Sequence, residues 1–147
     1  MLLSRSQNRI ALVVALTLTT GWAQANSETG PSGNTRVELA SFARRLQAGV
    51  AAHKARSVAE LVAFPLRVNH PNHKSFFLSK SQFLTQYDQV FTGQVSVAVV
   101  AQDPEALFEN SKGAMFGAGE VWVAAVCSTS SCVESKLLVV SVNVPGK

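Results

Sequence analysis

At 147 residues and 47% hydrophobic composition, the chain has room for one domain and enough apolar material for a real core. It carries 13 Lys+Arg against 9 Asp+Glu, a formal charge of +4. No Lys/Arg run exceeds the Arg44-Arg45 pair and no aromatic residues interleave with one, so the basic balance gives no support to nucleic-acid binding.

Arg5 and Arg9 form a positive n-region, Ile10 to Leu18 an uncharged apolar h-region, and Ala23-Gln24-Ala25 an A-x-A cleavage signature before Asn26. Residues 1–25 are therefore expected to be a secretory signal peptide cleaved after Ala25, which makes the mature protein periplasmic or secreted. The apolar run falls short of the ~20 residues a membrane span needs, and no cysteine at the cleavage point suggests a lipid anchor. Cleavage removes two arginines and no acid, leaving 11 Lys+Arg against 9 Asp+Glu. A solvated helix face accounts for Arg44, Arg45, Lys54 and Arg56.

Residues 26–34, NSETGPSGN, contain no apolar side chain and read as a mobile leader to a single domain over 35–147. Thr35 and Glu38 form a capping box, and Leu39, Phe42, Ala43, Leu46 and Val50 place one apolar stripe on a helix running to about Ala52. Ser57 and Glu60 repeat the box and predict a short second helix with Val58, Leu61 and Val62, which Pro65 ends by Phe64. Phe64 to Asn69 reads as a strand with Leu66 and Val68 on one face and Arg67 and Asn69 on the other. His70 to Lys74 reads as a turn, and Ser75 to Leu78 as a brief returning strand. Ser79 and Gln82 mark a third helix carrying Phe83, Tyr87, Val90 and Phe91, with Gly93 closing it.

Val95 to Val100, VSVAVV, is ambiguous: its propensity is that of a strand, and period alone does not exclude a buried helical turn. After Asp103-Pro104 the chain is β-like. Leu107 and Phe108 open a strand, Asn110 to Gly113 is a turn, and Gly117 and Gly119 mark a bend or bulge. Glu120 to Cys127 and Cys132 to Val144 are the long strands, with Leu137 to Val140 apolar enough for cover on both faces. The order predicts an α+β fold, helices packed on one face of a curved, mostly antiparallel sheet.

Cys127 and Cys132 are the only cysteines, and an even count in an exported chain predicts a disulfide at the tip of a hairpin. The spacing is not C-x-x-C, so a redox pair is disfavoured. His70 and His73, in a Pro-containing turn without a further ligand nearby, read as exposed loop histidines rather than a metal site. His53 lies at a helix C-terminus, where the dipole favours it. Tyr87, Asp88, Glu120 and Trp122 are the polar and aromatic candidates for a pocket, with a carboxylate as general base if one is buried there. Strand alternation puts Glu120 and Trp122 on a common face. No nucleophile elbow, phosphate loop or paired histidine and carboxylate motif occurs, and no cofactor is expected.

The succession of a helix pair, FPLRVN, the helix SKSQFLTQYDQVFT and LFENSKGAMFGAGEVWVAAV resembles small exported bacterial domains of the nuclear transport factor 2-like superfamily, from about Thr35 to Val144. The resemblance implies an α+β cone in which the glycines of GAMFGAGEVW shape a bend and Phe83, Tyr87 and Phe91 pack inward. Such domains include ketosteroid isomerases, related cyclases, and binding or scaffold modules. The isomerases' tyrosine and two-aspartate set is not matched residue by residue, because Tyr87 and Asp88 are adjacent on one helix and point in different directions.

The expected function is non-catalytic binding of a small apolar ligand or a protein partner at the mouth of the cone, through Trp122, Glu120 and Tyr87. A second copy of the chain is a further partner the sequence allows. The alternatives are an isomerase- or cyclase-type enzyme, with Glu120 or Asp88 as base and Tyr87 as donor, and an inhibitor or immunity-type protein presenting the Cys127 to Cys132 loop.

Overall fold

A computed structural model describes residues 29–30, 33–72 and 74–146. The expected signal peptide, residues 26–28 and 31–32 of the leader, and His73 lie outside the described residues. The described part of the leader is tied down: Thr29 bridges Thr35, the Gly30 N–H donates to the Asn34 carbonyl at 2.7 Å, and Asn34 is buried.

Helix α1 (Arg36–Ala51) starts on the capping box, with the Glu38 N–H donating to Thr35 Oγ1 at 3.2 Å and the Thr35 N–H to the Glu38 carboxylate at 2.8 Å. Donation to the carboxylate by the Thr35 N–H, and then by the Thr35 hydroxyl, holds the Glu38 carboxyl below its usual value. Leu39, Phe42, Ala43, Leu46 and Val50 are all buried, as the stripe requires. His53 follows in the left-handed conformation, φ 50°, and turns the chain straight into α2 (Ala55–Ala59). That tight connection corrects the second capping box. Lys54 is the N-cap, its carbonyl accepting from the Val58 N–H, so Ser57 lies inside the helix and caps nothing. Glu60 pairs instead with Lys80 at 2.6 Å. Val62, expected in the helix, opens β1 (Val62–Asn69), because the Leu61 carbonyl already accepts the Val139 N–H of the sheet at 2.8 Å.

β1 pairs antiparallel with β2 (Ser75–Leu78) and parallel with β6 (Ser135–Asn143). The β6 pairing is interrupted between Val62 and Arg67, and Pro65, after a cis bond, falls in that gap where no ladder N–H is required. Ser79 caps α3 (Lys80–Thr85) through the expected reciprocal bonds with Gln82. The single helix expected to Gly93 is not formed. The chain breaks at Gln86, continues as α4 (Tyr87–Val90), and restarts at α5 (Gly93–Ala101), where Thr92 Oγ1 accepts the Val95 N–H and Gly93 begins a helix rather than ending one.

VSVAVV is therefore helical against its β-propensity. Val95 and Val99, one turn apart, are both fully buried, and Gln47 of α1 donates to the carbonyls of Val99 at 3.0 Å and Gln102 at 2.7 Å. Packing and a side-chain cap on its terminal carbonyls outweigh a scale that spans only about 1 kcal/mol per residue.

The remaining strands are β3 (Phe108–Asn110), β4 (Gly113–Phe116) and β5 (Val121–Cys127). The sheet is open, with order β2-β1-β6-β5-β4-β3, antiparallel except at β1 and β6. The α+β class is as expected. Glu120 belongs to the turn before β5, and β6 begins at Ser135 rather than Cys132. One sheet face joins the helices in the core, through Leu66, Val68, Phe116, Val121, Val123 and Val139 against Phe42, Leu46, Phe83 and Val95. The other face is open, which corrects the expectation of double cover at Leu137 to Val140: only Val139 is buried, and the other three are half-buried.

Pairing of Trp122 with Ser141 and of Val123 with Val139 leaves Val140 as an extra residue in β6. This bulge lets both Val139 and Val142 face the core, three positions apart.

Gly113 shows how tightly the strands are drawn together. Its φ is 135°, and a Cβ there would lie 2.1 Å from the Val123 carbonyl oxygen, a backbone atom. Gly113→Ala is expected to lower unfolding free energy by about 3 kcal/mol, from a disfavoured φ plus displacement of β5; urea denaturation with a change near zero would contradict this packing.

Candidate functional site

The structure separates the sequence's candidate residues. Tyr87 opens α4 and sits inward, stacked on Phe91 at 5.3 Å between centroids and edge-on to Phe83 at 5.7 Å. Phe83 also meets Phe64 at 5.5 Å. This aromatic nest forms because Phe83, Tyr87 and Phe91 keep a four-residue spacing across the break at Gln86, so their rings remain on one side. The Tyr87 hydroxyl is buried without a hydrogen-bond partner. Burial, with the charge of Asp88 adding to it, pushes its pKa up to about 12. Asp88 itself is exposed.

Glu120 folds back on its own turn. Its carboxylate accepts the Ala118 N–H at 2.6 Å, and its backbone carbonyl accepts the Asn143 N–H at 2.7 Å. Gly117, φ 62°, makes this possible, since a Cβ at that position would lie 2.3 Å from a Glu120 carboxylate oxygen. Tyr87, Asp88 and Glu120 are thus not brought together.

Trp122 lies on the open face of the sheet, half-buried, in register with Met115 on one side and Ser141 on the other. Around it is a shallow groove of about 350 Å³ lined by Arg67, Asn69, Lys112, Trp122, Val140, Ser141 and Asn143. Its polar floor is a chain of side-chain hydrogen bonds. Asn143 Nδ2 donates to the Gly119 carbonyl at 2.5 Å, Asn69 Nδ2 to Asn143 Oδ1 at 2.6 Å, and Arg67 Nε to Asn69 Oδ1 at 3.0 Å, with Ser75 Oγ also donating to Asn69 Oδ1 at 2.6 Å. Arg67 and Asn69 point this way because they alternate with the buried Leu66 and Val68. The groove offers an indole, two cations, two amides and a hydroxyl, with no carboxylate, imidazole or thiol in its lining.

Two larger grooves, each of about 640 Å³, are less suited to binding. In the one between α1 and β6, Glu38 and Glu60 face Arg45 and Lys136, so the charges balance, and Glu38 is committed to its cap and Glu60 to Lys80. The other is lined by residues such as His70, Thr92, Gln94 and Pro145, holds no Lys, Arg, Asp or Glu, and has the His70 ring stacked on Phe76 at 5.2 Å. Among the described residues no group of three His, Cys, Asp or Glu could hold a metal ion. None of the described helices is long and apolar enough to cross a membrane.

Cys127 and Cys132 form a disulfide, Cα atoms 4.8 Å apart, at the tip of the β5–β6 hairpin. Ser128 to Ser131 between them are exposed. Closing this six-residue ring removes chain entropy from the unfolded state. Replacing both cysteines by serine is expected to cost about 2 kcal/mol, and thiol titration of the unfolded, unreduced protein should find no free thiol.

Tyr87 is the sole tyrosine, so an ultraviolet titration reads it alone. The folded hydroxyl keeps its proton to about 12 against 10.0 for a free one, so its contribution to stability is complete below pH 10 and is lost as pH rises toward 12. Tyr87→Phe should abolish that alkaline loss and, by removing a buried unpartnered hydroxyl, stabilise the protein at neutral pH by about 1 kcal/mol. A midpoint near 10 in the folded protein would refute the burial. The chain matches no family model, no curated protein and no solved structure.

Proposed function

We propose that this is an exported, non-catalytic binding domain of the nuclear transport factor 2-like kind, which takes its ligand on the open face of the sheet rather than at the mouth of a cone. The observation that carries the reading is a row of paired residues crossing all six strands on that face, Phe108, Met115, Trp122, Ser141, Arg67 and Phe77. Phe108 and Phe77 are 54% and 62% exposed, and Trp122 stands between them. Aromatic side chains left in water on a sheet that buries its other face mark an interaction surface. The disulfide and the N-terminal segment support a periplasmic or secreted location, since such bridges persist in oxidising compartments.

Tyr87 is the observation behind the isomerase- or cyclase-type alternative, because its buried hydroxyl has no partner. That chemistry also requires a carboxylate within reach of the hydroxyl, and Asp88 and Glu120 lie elsewhere. An inhibitor or immunity-type role rests on the exposed disulfide loop beside Val133, which is 83% exposed.

The test is a thermal-shift screen of small ligands on the protein and on Trp122→Ala. Ligands binding only the folded state raise its apparent melting temperature. Shifts of the wild type that vanish in Trp122→Ala, with the variant's own unfolding still cooperative, are the expected outcome. Shifts retained in Trp122→Ala would move the site off this face.

A further inference from the structure

The groove around Trp122 has a chemical bias that identifies the class of its ligand. Both ionisable side chains in its lining, Arg67 and Lys112, are cations. The two ion pairs among the described residues, Arg44 with Glu105 and Lys80 with Glu60, lie outside it, so neither cation is neutralised by a carboxylate of the described chain. Arg67 is oriented rather than loose: its Nε donates to Asn69 Oδ1, and Asn69 is held by Asn143 and Ser75. A guanidinium fixed through Nε keeps its terminal nitrogens available, and its planar fork matches a carboxylate.

The polar chain beneath is also directional. Gly119 carbonyl, Asn143 and Asn69 are linked by amide N–H groups running one way, and Asn69 Oδ1 is already occupied by two donors. The groove consequently has an excess of donors over acceptors. Beside them stand the Trp122 indole and Val140, an apolar wall in the same cavity.

We propose that this groove binds an organic anion, a carboxylate carried on a flat apolar body, with the carboxylate between Arg67 and Lys112 and the body against Trp122. The proposal rests on the open face being the binding face and adds the charge and shape of what binds there. Charge complementarity selects the head, since a neutral analogue leaves two cations without a counter-charge. The indole selects the body, because flat apolar groups stack favourably on aromatic rings. At about 350 Å³ the cavity is of the size that small-molecule sites have.

The experiment compares 2-naphthoate with its neutral counterpart 2-naphthalenemethanol. The sequence contains two tryptophans, so in the full chain carrying Trp22→Phe the single indole N–H resonance in a 15N-resolved spectrum belongs to Trp122. 2-Naphthoate should shift that resonance saturably and bind at least about tenfold more tightly than the alcohol in dilute buffer, with the advantage shrinking at about 0.5 M salt. Lys112→Gln, on an exposed turn residue, should remove most of the advantage by weakening 2-naphthoate more than the alcohol; Arg67→Gln should act in the same direction. Equal affinity for the two probes overturns the anion assignment and leaves the open face as a binding face. Failure of both probes to move the Trp122 resonance overturns the proposed site itself.

Discussion

The fold and the candidate site both depend on the pairing of β6, the strand placed between β1 and β5 in the sheet. β6 runs antiparallel to β5 over seven residue pairs and parallel to β1, and among the described strands it joins the N-terminal hairpin to β5, β4 and β3. The bulge at Val140 sets which side chains go where. With it, Val139 and Val142 both enter the core, and Ser141 and Asn143 turn outward beside Trp122 and Arg67. A side-chain period of two would otherwise put Val139 and Val142 on opposite faces. The same extra residue thus completes the interior and assembles the groove.

The helices are organised by what that sheet leaves to be covered. α1 supplies the long apolar stripe, and α5 lies beside it, held by buried valines and by the Gln47 cap. Between them, Tyr87 and Phe91 stack one turn apart across α4, after the break at Gln86. One buried hydroxyl is left without a partner in the nest. Its cost is local and modest beside the aromatic area it brings into the core.

Features that close within a few residues were legible in the sequence. The boxes at Thr35 and Ser79 form because their two bonds need only a three-residue span. The same pattern at Ser57 fails because the preceding turn, closed at Lys54, starts the helix earlier. VSVAVV could not be read alone, since the residue that caps its helix, Gln47, lies about fifty positions away. The site divides in the same manner. Trp122 was legible as a lone aromatic on a strand, and the alternation in FPLRVN placed Arg67 and Asn69 together on one face. That the two sets meet depends on the Asn69 to Asn143 contact across 74 residues, which no local pattern encodes. Glu120 was expected to open the strand that carries Trp122, and the structure places it in the preceding turn, to which strand alternation does not extend.

The sheet ends at β2 and β3, of four and three residues, and beside β3 the Gly30 backbone packs against the Glu109 side chain. Short edges give an incoming strand few backbone rungs to grip, a recognised defence against uncontrolled sheet growth. The long exposed surface is instead a face, where contact is made by side chains. A partner on that face would have to match a pattern of rings and charges, because the margins offer little main chain to copy. That arrangement leaves contact with the sheet to side chains and gives the fold resistance against self-templated fibres.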